Sequence, residues 1–261
     1  MIPALLRSTR VVRGAAYSAC VLLAVGFAFA QSAFAGPMST GNRLPVVVSV
    51  AATNSENPLL GRVARYLVPV AEDDSFELIG ASSPGEHWTL DELNVSGNVD
   101  PFTSLNFAVT NNAAVPLLFI VSVTLPIAPV GPFTLHGGST GGTLTDANNS
   151  GSATVATSGG IPYYRGQIDG ATVLSIYTDP YSLTVPFNGG TLNVPALNPG
   201  LPGPTLPSGP AAATIGIINQ FTLTPGDKFS GNSFFIIEPV PEPSTIALAA
   251  LGLAMLALRR R

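Results

Sequence analysis

Between Arg43 and Pro239 the chain never runs far without a glycine, proline, asparagine or aspartate, and the stretches between them are short and rich in β-branched and aromatic residues. A helix needs roughly ten or more residues of unbroken 3.6-residue periodicity, so punctuation about every ten residues confines such a chain to strands and turns. The candidate strands are LPVVVSV (44–50), ARYLVPV (64–70), SFELIG (75–80), SLNFAVT (104–110), PLLFIVSVTL (116–125), GPFTLH (131–136), GGTLT (141–145), SATVAT (152–157), IPYYRGQI (161–168), TVLSIYT (172–178), YSLTVPF (181–187), ATIGIINQFTLT (213–224) and SFFIIE (233–238). Phe102, Leu105, Phe107 and Val109 alternate in part, and Phe221 with Leu223 repeats the pattern, as expected of strands with one face in a core. The reading is all-β: a single antiparallel β-sandwich, jelly-roll or Ig-like, occupying residues 36–238.

Glycine (27) and proline (24) make up about a fifth of the 261 residues, below the roughly 25–30% of a low-complexity chain. The body is therefore expected to fold. PALNPGLPGPTLPSGP (195–210) holds six of the prolines, and proline gives no N–H to a ladder. It reads as a rigid loop with extended polyproline geometry rather than as a central strand.

The two ends of the chain differ from this body. Arg7, Arg10 and Arg13 precede the apolar stretch Val21 to Ala30, and Ala33-Phe34-Ala35 offers a small-x-small cleavage site. Residues 1–35 are thus expected to be a signal peptide, read by the general secretion machinery and cut by signal peptidase after Ala35. The only cysteine, Cys20, falls inside it, which leaves the exported body to be held by its core or by bound ions. Five basic residues remain against fifteen acidic ones once the arginines of the two ends are set aside, a formal charge of −10. Such a surface argues against nucleic acid as a partner.

Catalytic signals are sparse. His87 and His136 are the only histidines, and neither H-E-x-x-H nor G-x-S-x-G occurs. Glu86-His87-Trp88 reads as a turn with a partly buried tryptophan, and Glu72-Asp73-Asp74 with Glu77 as a solvated acidic loop that hard cations would also favour. The sharper candidate is LTDANNSGSATV (144–155), where Asp146, Asn148, Ser150 and Gly151 match positions 1, 3, 5 and 6 of an EF-hand-like calcium loop. Position 12 falls on Thr157, which has no carboxylate, so calcium there needs a ligand from elsewhere, and the same residues also suit a plain hairpin connection. Trp88, Tyr163, Tyr164, Tyr177 and Phe187 are candidates for a sugar-stacking platform, although in a sandwich most such rings are core.

The chain closes on VPEPSTIALAALGLAMLALRRR. The apolar run 244–258 would form a helix about 22 Å long, short against a hydrocarbon core of roughly 30 Å, and Arg259, Arg260 and Arg261 would hold its end at the cytoplasmic face. Pro241-Glu242-Pro243, the short apolar helix and the arginine cluster together resemble the PEP-CTERM sorting signal of Gram-negative bacteria. That resemblance, over about 239–261, implies processing near the Pro-Glu-Pro motif by a membrane-embedded exosortase, with an inner-membrane intermediate before the cell surface or extracellular space. More loosely, Asp100-Pro101-Phe102, Asn111-Asn112, the Asp146 turn and LTPGDKFSGNSFFI resemble β-rich passengers carried by this signal. The functional expectation is a non-enzymatic surface or matrix protein of biofilm or exopolysaccharide. A carbohydrate-binding module is the alternative, and a secreted hydrolase a third reading. No cofactor is expected beyond calcium at Asp146, Asn148 and Ser150.

Overall fold

The computed structural model describes residues 43–54 and 60–240. The signal peptide with Ala33 and Ala35, the motif Pro241-Glu242-Pro243, the apolar run 244–258 and Arg259 to Arg261 lie outside the described residues. Among the described residues no helix is long and apolar enough to cross a membrane.

Fifteen strands follow one another: β1 (Val46–Thr53), β2 (Arg62–Val68), β3 (Ser75–Ser83), β4 (Trp88–Asn98), β5 (Phe102–Asn111), β6 (Leu117–Pro126), β7 (Thr134–Thr145), β8 (Ala153–Ala156), β9 (Tyr164–Ile168), β10 (Ala171–Ile176), β11 (Ser182–Val185), β12 (Thr191–Leu197), β13 (Leu206–Ser208), β14 (Thr214–Leu223) and β15 (Lys228–Pro239). They form two sheets. The first runs β10-β9-β14-β6-β1-β2, with β8 bridging β14 to β11; the second runs β12-β7-β15-β5-β4-β3, with β13 also on β7. All pairings described are antiparallel, and a frame of this size exceeds the roughly seven to nine strands of an Ig-like or jelly-roll domain.

The sheets meet through alternate residues. Val46, Val48, Val50, Phe119, Val121, Ile217 and Phe221 of the first sheet and Leu93, Val95, Leu105, Phe107, Phe229 and Phe235 of the second are buried in one cluster. Rings carry the contact: Trp88 meets Phe119 edge-on at 5.8 Å, Phe119 stacks on Phe221 at 5.6 Å, and Phe221 stacks on Phe107 at 6.0 Å and lies 4.7 Å from Phe229. Tyr164 adds a polar tie by donating its hydroxyl across the gap to the Phe234 carbonyl at 2.8 Å.

Three strands escape the sequence reading. β4 carries Asp91 and Glu92 where its ladder to β5 slips between Leu90 and Glu92, and that bulge breaks the alternation that marks a strand. β12 and β13 lie in and beside the proline-rich stretch, which is not wholly loop: both strands pair with the free edge of β7, one contains Pro195 and the other Pro207. Proline is tolerated there because an edge strand needs only half of its ladder. Conversely, the two runs expected at 131–136 and 141–145 are a single β7. Its glycines are close-approach sites rather than turns, since a Cβ on Gly138 would lie 2.5 Å from the Tyr164 hydroxyl and one on Gly142 2.8 Å from the Phe229 ring.

Because Phe221 touches Phe107, Phe119, Tyr163 and Phe229 at once, Phe221→Ala should destabilise the fold by about 3–5 kcal/mol. Equilibrium denaturation of the variant against the parent measures this, and a loss below about 1 kcal/mol would contradict the packing described.

Candidate functional site

One end of the sandwich gathers four connections: the β5–β6 loop after Asn111, the β7–β8 turn from Asp146 to Ser152, the β11–β12 turn at Gly189, and the β14–β15 turn from Thr224 to Asp227. Asn111, fully buried, donates its side-chain amide to the carbonyls of Val115 (3.0 Å) and Leu223 (2.9 Å), and its backbone pairs with Asp227 and Gly226. Three of the segments resembling sorted passengers (Asn111-Asn112, the Asp146 turn and LTPGDKF) therefore meet in space although they lie far apart in sequence.

Asp146 is the hub of this end. One carboxylate oxygen, Oδ1, accepts the Ser150 N–H at 3.0 Å and the Ser150 hydroxyl at 3.4 Å; the other, Oδ2, accepts the N–H groups of Gly151 (2.9 Å) and Gly189 (3.1 Å). Burial opposes its charge, but the N–H bonds from Gly151, Ser150 and Gly189 outweigh that and hold the carboxyl below its ordinary range. Asn148 shares the Ser150 N–H through Oδ1 at 2.9 Å and donates its amide to the Pro225 carbonyl at 2.8 Å. The glycines are required here: Gly151 and Gly226 sit at φ of 90° and 75°, and a Cβ on Gly226 would strike the Asn148 amide. Thus Asp146, Asn148 and Ser150 do converge, while Thr157 at position 12 turns away to donate to Asp179 at 2.7 Å.

Sequence reasoning missed Asp227. The β7–β15 ladder ends with Thr145 opposite Lys228, so the next step places Asp146 directly opposite Asp227. Both are buried, at 1% and 0% exposure. Asp227 accepts the Thr224 hydroxyl at Oδ2, and its Oδ1 is buried with no hydrogen-bond partner. Burial, joined by the negative charge of Asp146, pushes the Asp227 carboxyl above its ordinary value, despite the opposing bond from Thr224. Nothing in a linear reading pairs residues 146 and 227; only the register does.

The other candidates take bland places. Asp74 pairs with Arg43 at 2.6 Å and Asp73 caps Ser75, so the acidic run is a turn tied down by an arginine. Among the five aromatics, Trp88, Tyr163 and Tyr164 are core, Tyr177 packs on Tyr181 at 4.4 Å and on the buried Tyr163 at 6.3 Å, and Phe187 lies against the α-carbon of Gly190, so the five do not share one exposed platform. His87 lies beside the Asn111 end of β5 and His136 opposite Ile237, near the Phe102 end, about 30 Å apart along the strand. His136 is buried against Phe235, and burial lowers its basicity despite a hydrogen bond with the Val173 backbone. Among the described residues no three His, Cys, Asp or Glu side chains converge.

At the opposite end of β14 stands a carboxylate that the sequence reading passed over. Asp169, in the β9–β10 turn at φ of 50°, accepts the N–H groups of Ala212 (2.7 Å), Ala213 (2.7 Å) and Thr214 (2.9 Å) and so anchors the entry to β14. Burial works against its charge more than any one bond works for it, but the three N–H bonds together prevail and keep the carboxyl below its ordinary range.

Residues 239–261 match the family model described as the PEP-CTERM protein-sorting motif. The motif marks a protein that is exported through a membrane intermediate and processed by an exosortase on its way to the cell surface. No curated protein matches the chain.

For Asp169 the folded carboxyl titrates below the unfolded one, so its contribution is present above about pH 4 and disappears as pH falls through the folded value. Asp169→Ala should therefore lower Tm by several degrees at pH 7, with the gap between variant and parent narrowing as the pH falls below the ordinary carboxylate range. Thermal unfolding followed across that range checks it; a pH-independent gap would mean the carboxylate charge is not what anchors the turn.

Proposed function

We propose that this PEP-CTERM-motif protein is an exported surface or matrix component whose β-rich body serves a non-enzymatic, structural or adhesive role in contact with exopolysaccharide. The sorting motif at residues 239–261 carries the reading, because it directs the body to the cell surface. His136 is buried against Phe235 with its Nδ1 bonded to neither a carboxylate nor a serine, which supports a non-catalytic role over the hydrolase reading.

The outer face of the second sheet favours a polysaccharide partner. Asn94, Asn106 and Asn232 stand opposite one another on β4, β5 and β15, and the flanking rows bring Ser96 beside Ser104 and Thr143 beside Asn193. Asn106 and Asn232 are exposed. Neighbouring strands lie about 4.8 Å apart, so these rows present a regular array of amides and hydroxyls able to donate to and accept from sugar hydroxyl groups. Phe102 and Phe234, half-buried with centroids 6.0 Å apart, close one end of the face with apolar surface that suits the flat side of a sugar ring. Glu77 stands opposite Ser96 and the Glu92 carboxylate accepts from Asn94 at 2.6 Å, so this face suits neutral glycans better than acidic ones, which these carboxylates would repel.

Two outcomes follow. Asn106→Ala with Asn232→Ala should reduce retention on the producing organism's own exopolysaccharide severalfold while leaving Tm nearly unchanged, since both side chains are exposed; retention of the parent no greater than that of a control protein defeats the polysaccharide reading. Glu242→Ala should leave the chain unprocessed in the membrane fraction, and mass spectrometry of fractionated cells would show whether the 239–261 segment stays attached. Normal processing of that variant would remove the role assigned to the glutamate.

A further inference from the structure

The geometry points to a calcium-binding site at the end of the sandwich, made by the turn oxygens of Asp146, Asn148, Ser150 and Ser152 together with the carboxylate of Asp227 across the β7–β15 ladder. This stands independently of the sorting pathway and of any glycan partner.

The first observation is a charge problem. Asp146 and Asp227 face each other at the end of a strand pair, both almost fully buried. Directly opposed residues hold their Cβ atoms only about 5 Å apart, and like charges in that arrangement repel. Two buried carboxylates with no basic side chain beside them need a proton or a cation between them. The salt bridges among described residues are Arg43 to Asp74 and Lys228 to Asp91, and neither reaches this pair.

The second observation is the set of oxygens left open at this end. Oδ1 of Asp227 is buried and has no partner, although the other carboxylate oxygen accepts from Thr224. On the turn side the Ser150 hydroxyl lies 3.4 Å from Oδ1 of Asp146 and 3.1 Å from the Ser152 carbonyl, and Oδ1 of Asn148 shares the same Ser150 N–H. Oxygens about 3 Å apart are what adjacent ligands show around an ion with bonds of about 2.3–2.6 Å. Oδ1 of Asp146 keeps a lone pair for the ion, since only one strong N–H bond occupies it and the Ser150 hydroxyl is distant.

The third observation concerns access and identity. Asn148, Ser150 and Ser152 are exposed, so an ion reaches the buried carboxylates from solvent through the turn. Two carboxylates balance one divalent charge. Mixed carboxylate, amide, hydroxyl and carbonyl oxygens in an irregular shell suit calcium, whereas magnesium demands near-ideal octahedral geometry at about 2.1 Å. Thr157 cannot supply the acid that the D-x-N-x-S-G pattern lacks at its twelfth position, and Asp227 supplies it from a different strand.

The test uses the full-length chain, freed of metal by chelation, titrated with calcium chloride and separately with magnesium chloride. Calorimetry should show one calcium per chain with magnesium binding at least tenfold weaker, and Tm should rise by several degrees once calcium exceeds its Kd roughly a hundredfold. Asp227→Asn, which keeps shape and removes one charge, should abolish the calcium response while leaving the chelated protein at least as stable as the parent. Ser150→Ala, at an exposed position, should weaken calcium severalfold without moving the chelated Tm. No binding heat and an unchanged Tm at millimolar calcium in the parent overturn the proposal in favour of a proton shared by the two aspartates. A calcium response that survives Asp227→Asn overturns it equally.

Discussion

The seam of aromatic rings between the two sheets is the interaction on which the other features rest. With no cysteine outside the first 35 residues, the body has no disulfide to hold it, so its two sheets stay together chiefly by burial, with a few hydrogen bonds between them. Phe221 at the middle of that seam touches rings from both sheets, and its stack with Phe107 and Phe119 fixes the height at which β14 crosses β5. Fixing that height also fixes the turns at the strand ends. The Asn111, Asp146 and Asp227 connections meet because the strands beneath them are locked in register by a core that allows no slip without exposing a whole face.

Small residues take part in the same packing. Gly138, Gly142, Gly166 and Gly231 lie where a Cβ would collide with Tyr164, Phe229, Phe235 and Phe107 respectively. Large rings on one strand are thus accommodated by missing side chains on another. A polar bridge runs through this layer as well: Ser233 donates to Asn219 across the sheets at 3.0 Å and lies 2.8 Å from the Thr140 hydroxyl, all three buried. Such a link constrains the relative positions of the two sheets more narrowly than apolar contact does, because a hydrogen bond tolerates less sliding.

How far the sequence could be read depends on which physical signal each element carries. Strands with an apolar inner face, such as β1, β6 and β14, announce themselves through alternation and β-branched residues. β4 hides behind Asp91, Glu92 and a bulge, and β12 and β13 behind prolines that an edge position tolerates. The glycine pairs of β7 read as turns because a turn and a close approach use the same residue, and only neighbouring rings distinguish them. At the candidate site the turn half was visible in D-x-N-x-S-G, since its contacts span five residues. Asp227, eighty-one positions away, carries no local mark of its partner.

The sequence by itself determined the class of fold and the destination. Punctuated β-rich runs exclude helices, and the terminal Pro-Glu-Pro, apolar and arginine segments spell an address that is read as linear sequence. Both are local properties, carried by composition and spacing. Only the tertiary structure decided that Asp146 and Asp227 face each other, that His87 and His136 lie at opposite ends of one sheet, and that an asparagine row lines its outer face. Those facts depend on strand register, and register is set by how two inner faces pack, which no single segment of the chain encodes.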